Sequence, residues 1–211
     1  MNDIHFQIRV LIVEDEVLIA ENLAIYLNNS DFIVTAIAYD YNEAIHQLSN
    51  NKPDIVLLDI NLEDDKDGID LAEFIFNKIK IPYVFLTSYS DKHTLERAKK
   101  FQPSGFLIKP FHDKSLLSTL EISLSNYSIQ RNKEYPALEL DIINSKLLSH
   151  LSPREFEVIQ LIYEGNTNIQ ITQKLFISIN TLKRHINNAY TRLDVKSRSE
   201  AIEKLKFLMA A

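Results

Sequence analysis

The sequence predicts two domains: an α/β domain with a doubly wound, five-stranded parallel sheet, followed by a small all-α helix-turn-helix domain. Residues 8–124 alternate short apolar runs with amphipathic helical patterns, whereas the pattern from residue 151 onward is helical only. The chain has 211 residues, which is long for one compact domain and short for three. With 45% hydrophobic and 25% charged residues, its composition is that of a globular protein and not of a disordered chain.

The predicted strands are continuous apolar runs. Because they lack the alternation of half-exposed strands, they are typical of parallel strands covered by helices on both faces. The runs are residues 8–13, 32–38, 55–58, 83–86 and 106–108. Helical patterns follow them near residues 17–28, 41–50, 69–78, 92–100 and 113–127. This strict alternation predicts right-handed crossovers in a doubly wound sheet.

The periodicity is lost at residues 128–148, where we predict a linker with a short extended piece at residues 138–143. Ser152 and Glu155 then form a capping box, with Pro153 in the first helical position, which marks a helix start. Further helices are predicted near residues 168–175 and 179–192 and after Ser197. The predicted organisation is a first domain at residues 1–127, a linker at 128–148 and a second domain at 149–211.

The two domains differ in charge. Residues 1–148 carry 14 Lys and Arg against 23 Asp and Glu, whereas residues 149–211 carry 9 against 6. We therefore expect any polyanionic partner to bind the tail. The longest uncharged stretch has ten residues, about half of what a membrane span needs, and no secretory signal is visible. Together with zero cysteines, this predicts a cytoplasmic protein that has no disulfides and does not contact a membrane.

Acidic and polar residues follow the predicted strands at one edge of the sheet. The first strand runs into Glu14 and Asp15, the third into Asp59, the fourth into Thr87 and the fifth into Lys109. Ligands of such sheets bind outside the carboxyl ends of the strands, so these carboxylates are expected to meet and to require a divalent cation, Mg²⁺. The Thr87 hydroxyl and the Lys109 charge would surround a phosphoryl group. The pattern indicates that Asp59 attacks phosphorus.

These residues resemble the receiver domain of two-component response regulators. The resemblance covers about residues 7–127 and lies in residues 10–16, 53–59, 85–88 and 105–111. It implies that Asp59 is the phosphoacceptor for a partner histidine kinase. It also implies that Phe106 is a switch aromatic, that Thr87 moves toward the phosphoryl group, and that the Lys109–Pro110 bond is cis. The implied Mg²⁺ ligands are Asp15, Glu14 through water, Asp59 and the backbone carbonyl of Asn61.

The loop after Asp59 departs from the pattern of that family. Glu63 stands where the family usually has proline, and Gly68 falls nine residues after the acceptor where eight is usual. The loop is therefore one residue longer, and Glu63, Asp64, Asp65 and Asp67 make it unusually acidic. We expect an effect on metal affinity or on the lifetime of the phosphoryl group, with every catalytic residue kept.

The tail contains a helix with one apolar and one polar surface. Leu182, Ile186, Ala189 and Leu193 recur at helical spacing and predict a buried stripe. The other faces carry basic and amide side chains, which contact base edges and phosphates in a major groove. Ser178 is placed to cap this helix. Thr181, Lys196 and Arg198 are expected to contact the DNA backbone. The full set of candidate DNA contacts is Thr181, Lys183, Arg184, His185, Asn187, Asn188, Arg192, Lys196 and Arg198.

The tail is similar to the LuxR/NarL-type DNA-binding domain over residues 149–208. The similarity implies a transcriptional regulator whose active form is a homodimer on two half-sites, with residues 197–208 joining the two tails. Asp194 stands where glycine is usual, so we expect it in a left-handed conformation. Ile169 and Gln170 replace a more charged pair that is common in the family.

Other interpretations stay open at this level. An aspartyl nucleophile with Mg²⁺ also serves phosphatases and phosphotransferases, although Asn61 stands where a second aspartate would act as acid or base. Phe106 is either a switch or a packed core aromatic. The polar helix face either binds DNA or is only solvated, in which case the tail would be a protein-binding module. We predict a DNA-binding response regulator and not an enzyme.

Overall fold

The structure is a computed structural model that describes residues 6–62, 65–88, 92–132 and 137–210. Its contacts divide the chain into two compact units. The first unit is Arg9–Leu124, and the second joins the described residues up to Ile8 with those from Ser125 onward. Each unit has its own core of buried apolar side chains.

The first unit is built on the predicted sheet. The strand order is β2-β1-β3-β4-β5, and the pairs β1–β3, β3–β4 and β4–β5 are parallel. Each strand matches its predicted run to within one residue at either end, which confirms the fold class. The strands are β1 (Ile8–Val13), β2 (Phe32–Ala38), β3 (Ile55–Asp59), β4 (Tyr83–Thr87) and β5 (Gly105–Ile108).

The helices between the strands also lie where the sequence predicts them. Capping side chains fix two of the starts: Asp40 accepts from the amide of Glu43, and Asp67 accepts from the amides of Ile69 and Asp70. The helices are α1 (Val17–Asn28), α2 (Tyr41–Asn51), α3 (Gly68–Phe74), which continues into a π-helical turn at Ile75–Ile79, α4 (Lys92–Lys99) and α5 (Asp113–Asn132).

The strand register brings the expected site residues to one edge of the sheet. Val13 pairs with Leu58, Asp59 with Leu86, and Thr87 with Ile108. The residues that end β3 and β4 therefore lie beside those that follow β1 and β5. The order of the strands reverses between β1 and β3, so the carboxylates lie at the switch point of the sheet.

The second unit is all helical. The capping box at the start of α7 is confirmed: the Ser152 hydroxyl accepts from the amide of Glu155, whose carboxylate accepts from the amide of Ser152. The described helices of this unit, apart from the end of α5, are α6 (Leu140–Ser145), α7 (Pro153–Tyr163), α8 (Asn168–Leu175), α9 (Ile179–Leu193) and α10 (Arg198–Ala210).

In the described residues, no helix combines the length and apolar character needed to cross a bilayer.

The predicted linker at residues 128–148 is largely helical. Helix α5 continues to Asn132, and α6 replaces the extended piece predicted at residues 138–143. Ile143 is buried in the core of the second unit, and the Asn144 side chain bonds both the amide and the carbonyl of Leu151. A helix of six residues is too short for its periodicity to show in the sequence, which explains this error. Residues 133–136 of the linker lie outside the described residues.

Candidate functional site

Three carboxylates meet at the carboxyl edge of the sheet. Glu14, Asp15 and Asp59 each place an oxygen within 4.8 Å of the others. Glu14 follows β1 and is fully buried, whereas Asp59 ends β3 with 5% of its surface exposed. Carboxylate oxygens at this spacing suit a hard divalent cation, because the negative charges repel one another without one. The structure therefore brings together the three side chains proposed from the sequence as metal ligands.

Lys109 lies between two of these carboxylates. Its Nζ is 2.6 Å from Asp59 Oδ2, and it is 2.8 and 2.6 Å from Glu14 Oε1 and Oε2. The predicted cis bond between Lys109 and Pro110 is present. One half-buried cation thus bonds the side chains that follow β1 and end β3, and its charge strengthens these hydrogen bonds.

The pocket changes the proton affinity of two of its groups. Burial raises the pKa of Glu14 to about 7, a rise that the hydrogen bond from Lys109 opposes and the charge of Asp59 increases. Burial acts to lower the pKa of Lys109, but its bonds to Asp59 and Glu14 outweigh that effect and raise it. Lys109 therefore stays charged near neutral pH, while Glu14 gains or loses a proton there.

The main chain after Asp59 also shapes the site. The amide of Asn61 donates to Asp59 Oδ1 at 3.1 Å, which orients the carboxylate. A Cβ on Gly68 would lie 1.9 Å from the carbonyl oxygen of Asp59, so α3 can begin this close to the end of β3 only with glycine. The sequence showed Gly68 as a shifted family position but gave no signal of this contact.

One acidic side chain of the loop after Asp59 has a structural role. Asp67 caps α3 and also forms an ion pair with Arg97, with 3.0 Å between Oδ2 and Nη1. The reciprocal bond from the amide of Asp67 to Asp70 completes a capping box. Asp67 is thus a helix cap, which the three-residue spacing to Asp70 could have revealed. Glu63 and Asp64 lie outside the described residues.

Thr87 and Phe106 lie on the neighbouring strands. Thr87 ends β4 and is 3% exposed, and its carbonyl accepts from the amide of Lys109 at 2.7 Å. Phe106 is half-buried and faces Phe85 in the β4–β5 register, with the ring centroids 5.6 Å apart. This position of Phe106 is compatible with both roles, a switch aromatic and a packed core aromatic.

A cavity of about 760 Å³ opens beside the carboxylates. Asp59, Asn61 and Lys109 are part of its lining, together with residues of α1, of the start of α5 and of the segments that follow β1, β4 and β5. The apolar side chains of the lining include Ile19, Leu23, Tyr26, Phe111 and Leu116. A phosphoryl donor can therefore approach Asp59 even though that side chain is largely buried.

Helix α9 in the second unit has the surface expected of a recognition helix. Its buried stripe is the predicted one, extended by Tyr190. Ser178 caps the helix by accepting from the amide of Thr181 at 3.2 Å, as predicted. Among the candidate DNA contacts, Arg184, Asn187, Asn188 and Lys196 are exposed, and Thr181, Lys183, His185 and Arg192 are half-buried.

The structure corrects the prediction for Arg198. Its side chain is buried, with 5% exposed, and its guanidinium donates to the carbonyls of Ile162 and Asn166 at 3.0 and 2.7 Å. It binds the end of α7 and the turn that follows, so the predicted contact with a DNA phosphate is wrong. The sequence around an arginine does not show whether its side chain bonds distant carbonyls or faces solvent, which explains why this prediction failed.

Arg192 also has a structural role that the sequence did not reveal. Its Nε lies 3.2 Å from Oε2 of the buried Glu155, and its Nη1 donates to the carbonyl of His150. Arg192 thereby ties α9 to the start of α7 while its side chain stays 35% exposed.

Two departures from the family pattern have local explanations. Asp194 adopts the predicted left-handed conformation, with φ 55° and ψ 55°, and ends α9. Gln170 accepts from the amide of Thr167 at 2.9 Å and completes a capping box at the start of α8. The side-chain amide of Gln170 thus forms the cap that the carboxylate of a glutamate would form at this position.

Family models match both units of the chain. Residues 10–121 match the response regulator receiver domain, and residues 149–205 match the bacterial regulatory proteins of the luxR family. The chain belongs to the response regulator family. This response regulator carries a LuxR-type DNA-binding domain and is a transcriptional regulator rather than an enzyme. Its receiver implies a histidine kinase partner, and its second domain implies binding to DNA.

Two named relatives cover nearly the whole response regulator, and a third covers about two thirds of it. The oxygen regulatory protein NreC of Staphylococcus haemolyticus is 27% identical over 92% of this chain and 95% of its own length. The transcriptional regulatory protein LiaR of Bacillus subtilis is 29% identical over 92% and 94%. The transcriptional regulatory protein PdtaR of Mycobacterium tuberculosis is 35% identical over 64% of this chain and 62% of its own.

Solved structures show the same folds. A signal receiver domain of a modulated diguanylate cyclase from Desulfovibrio desulfuricans covers 58% of this chain and 97% of its own, with 33% identity and a TM-score of 0.55. Full-length FixJ from B. japonicum covers 96% of this response regulator and 98% of its own chain, with 22% identity and a TM-score of 0.52.

Proposed function

We propose that Asp59 is the phosphoacceptor of this response regulator and that Mg²⁺ is its cofactor. The observation that carries this proposal is the cluster of Glu14, Asp15 and Asp59, with oxygens within 4.8 Å of one another beside Lys109. The donor set consists of oxygens, which are the ligands that Mg²⁺ prefers. Asp15 and Asp59 would hold the ion directly, Glu14 through water, and Asn61 through its backbone carbonyl.

The chemistry is a transfer of one phosphoryl group. An oxygen of Asp59 attacks the phosphorus of a phosphohistidine, the P–O bond forms, the P–N bond breaks, and its electron pair returns to the imidazole nitrogen. A divalent cation, when bound, supplies positive charge to the phosphoryl oxygens. Lys109 adds a second positive charge at the same place, and the hydroxyl of Thr87 donates to a phosphoryl oxygen.

The phosphorylated state differs from the resting state in two residues. Thr87 turns toward the phosphoryl group, and Phe106 turns inward from its half-buried position next to Phe85. Phosphorylation thereby shifts the population between two conformations of the receiver. The active form is a homodimer that acts in the cytoplasm, with residues 197–208 in the contact between the two tails.

The exposed face of α9 contacts DNA. Arg184, Asn187 and Asn188 are the candidates for base edges, because they are exposed on the polar side of a helix whose other side is buried. Lys183, Thr181, His185 and Lys196 are candidates for base or phosphate contacts. Arg192 can contribute only through the exposed part of its side chain, since Glu155 holds its guanidinium.

Incubation with acetyl phosphate and Mg²⁺ tests the phosphoacceptor. Intact-mass spectrometry should show one added phosphoryl group on the wild type and none on Asp59→Asn. Asp54→Asn is the matched control, because Asp54 is also buried but bonds the amide of Arg9 and lies outside the carboxylate cluster. The proposal fails if Asp59→Asn is still modified, or if labelling is unchanged by removal of Mg²⁺ with EDTA.

Binding to labelled duplex DNA tests the α9 face. Arg184→Ala should weaken binding by about 1 kcal/mol or more and flatten its salt dependence if the contact is to phosphate. Lys174→Ala in α8 is the control, an exposed basic residue outside the proposed contacts. Equal affinities for Arg184→Ala, Asn187→Ala and the wild type would exclude α9 as the recognition helix.

A further inference from the structure

We propose that Lys66 and Asp67 clamp the loop after Asp59 in the position that Mg²⁺ binding requires. Their partners are Tyr41 in α2 and Arg97 in α4, and we call these four side chains the loop clamp. They act on the site without contacting the metal, so they are positioning residues. This inference rests on the proposed Mg²⁺ site and adds residues that set its affinity from outside the carboxylate cluster.

The loop leaves the sheet and returns to it at one point. The amide of Gly68 donates to the carbonyl of Ile60 at 3.0 Å, which closes the loop of residues 61–67 at its base. At the start of the loop, the amide of Asn61 donates to Oδ1 of Asp59 at 3.1 Å. The loop is one residue longer than is usual in the family, and a longer loop has more conformations to lose when it is ordered. Contacts beyond its two ends therefore decide how firmly it is held.

Two consecutive residues tie the end of the loop to two different helices. The Nζ of Lys66 lies 4.2 Å from the centroid of the Tyr41 ring, within the range of a cation–π contact. Oδ2 of Asp67 lies 3.0 Å from Nη1 of Arg97. Helix α3 begins immediately after Asp67 and packs against both α2 and α4. The loop is thus held by the two helices between which α3 lies.

The carboxylate of Asp67 connects this hold to the carboxylate cluster. Its Oδ1 accepts from two amides in the first turn of α3, and its Oδ2 pairs with Arg97. The next residue, Gly68, lies against the backbone carbonyl of Asp59 with no room for a side chain. A shift of Asp67 would therefore move the start of α3 relative to the end of β3, where Asp59 lies.

The sign of the effect of Arg97 separates position from charge. If charge alone acted, removal of a positive charge would strengthen the binding of a cation. Removal of a contact that orders the loop weakens binding, because the loop must then be ordered when the metal binds. We therefore expect Arg97→Ala to weaken Mg²⁺ binding even though this variant makes the domain more negative.

Isothermal titration calorimetry of the full chain with MgCl₂ measures this effect. Arg97→Ala should weaken Mg²⁺ affinity about twofold to fivefold, the range expected for a partly exposed ion pair, and Arg97→Lys should restore part of the loss. Lys99→Ala is the matched control, because it removes the same charge from α4 but pairs with Glu96 in that helix, and it should not weaken binding. An affinity of Arg97→Ala equal to or higher than that of the wild type would overturn the clamp.

A double-mutant cycle tests whether Arg97 acts through Asp67. Asp67→Asn keeps a side-chain oxygen for the helix cap and loses the charge that pairs with Arg97. In the Asp67→Asn background, Arg97→Ala should no longer weaken Mg²⁺ binding. A loss as large as the one in the wild-type background would overturn the role of this ion pair.

Hydrogen exchange followed by NMR measures the clamp without metal. In EDTA, the amides of Asn61 and Gly68 should exchange at least about twofold faster in Arg97→Ala and in Lys66→Met than in the wild type, because the loop opens more often. Lys66→Met removes the charge of the cation–π contact and keeps an apolar side chain of similar length. Lys99→Ala should exchange like the wild type. Unchanged exchange in either clamp variant would overturn the role of the residue that it replaces.

The outcomes separate the clamp from the proposed function. If the wild type and Arg97→Ala bind Mg²⁺ equally well and both are labelled at Asp59, the clamp is overturned and the phosphoacceptor stands. A wild-type chain that binds no Mg²⁺ would overturn the proposed cofactor and the clamp with it.

Discussion

The Nζ of Lys109 lies 2.6 Å from Oδ2 of Asp59, and the same nitrogen bonds both carboxylate oxygens of Glu14. Fifty residues separate Lys109 from Asp59 in the chain, and 95 separate it from Glu14. A single ammonium group is therefore the shared counterion of two buried carboxylates at the ends of different strands. The stability of the pocket and its response to a divalent cation both depend on this group.

Lys109→Ala should lower the free energy of unfolding by about 3 kcal/mol in EDTA, because two buried carboxylates lose their counterion. Mg²⁺ should restore more stability to the variant than it adds to the wild type. Urea denaturation followed by circular dichroism, with EDTA and with Mg²⁺, measures both effects. Lys99→Ala removes an exposed pair with Glu96 and should cost about 0.5 kcal/mol or less. Equal losses for the two variants would contradict the role of Lys109.

Mg²⁺ affinity should rise with pH until about 7 and then level off. Burial raises the pKa of Glu14 to about 7, so below that pH the carboxyl is protonated and the metal must displace the proton. Above it the carboxylate is already ionised. Isothermal titration calorimetry at several pH values measures how Mg²⁺ affinity depends on pH. Glu14→Gln should remove this pH dependence. Glu21→Gln, a substitution at an exposed position of α1, should keep it. The same slope in Glu14→Gln and in the wild type would contradict this assignment.

Gly68→Ala should destabilise the receiver by about 2 kcal/mol or more and reduce phosphoryl labelling, because the new Cβ would lie 1.9 Å from the backbone oxygen of Asp59. Gly105→Ala is a graded control. Its Cβ would meet the hydroxyl of Ser123 at 2.5 Å, and a side chain can rotate away where a backbone cannot. Thermal unfolding and intact-mass labelling measure the two effects. A Gly105→Ala variant that is harmed more would argue against the close approach at Gly68.

Arg198→Ala should destabilise the second unit by about 2 kcal/mol or more, since it leaves the carbonyls of Ile162 and Asn166 without this buried donor. Lys196→Ala, at an exposed position two residues earlier, should leave stability within about 0.5 kcal/mol and weaken DNA binding. Chemical denaturation and duplex titration of the two variants compare the roles. A stable Arg198→Ala that binds DNA weakly would restore the original prediction for this residue.

The sequence was sufficient where the signal is local. Continuous apolar runs predicted the strands to within a residue, because a strand that is buried on both faces is apolar at consecutive positions. The residues that end those runs then had to meet, since the carboxyl ends of parallel strands share one edge. Capping residues such as Ser152 and Ser178 bond amides within three residues, so their function is also readable.

The tertiary structure decided what depends on partners far away in the chain. Arg198 turns inward because carbonyls 36 and 32 residues away need a donor, and Arg192 pairs with Glu155 for a similar reason. Gly68 is required only because α3 begins against the end of β3. Such contacts leave no periodic trace, because a side chain's local sequence does not determine which buried group it faces.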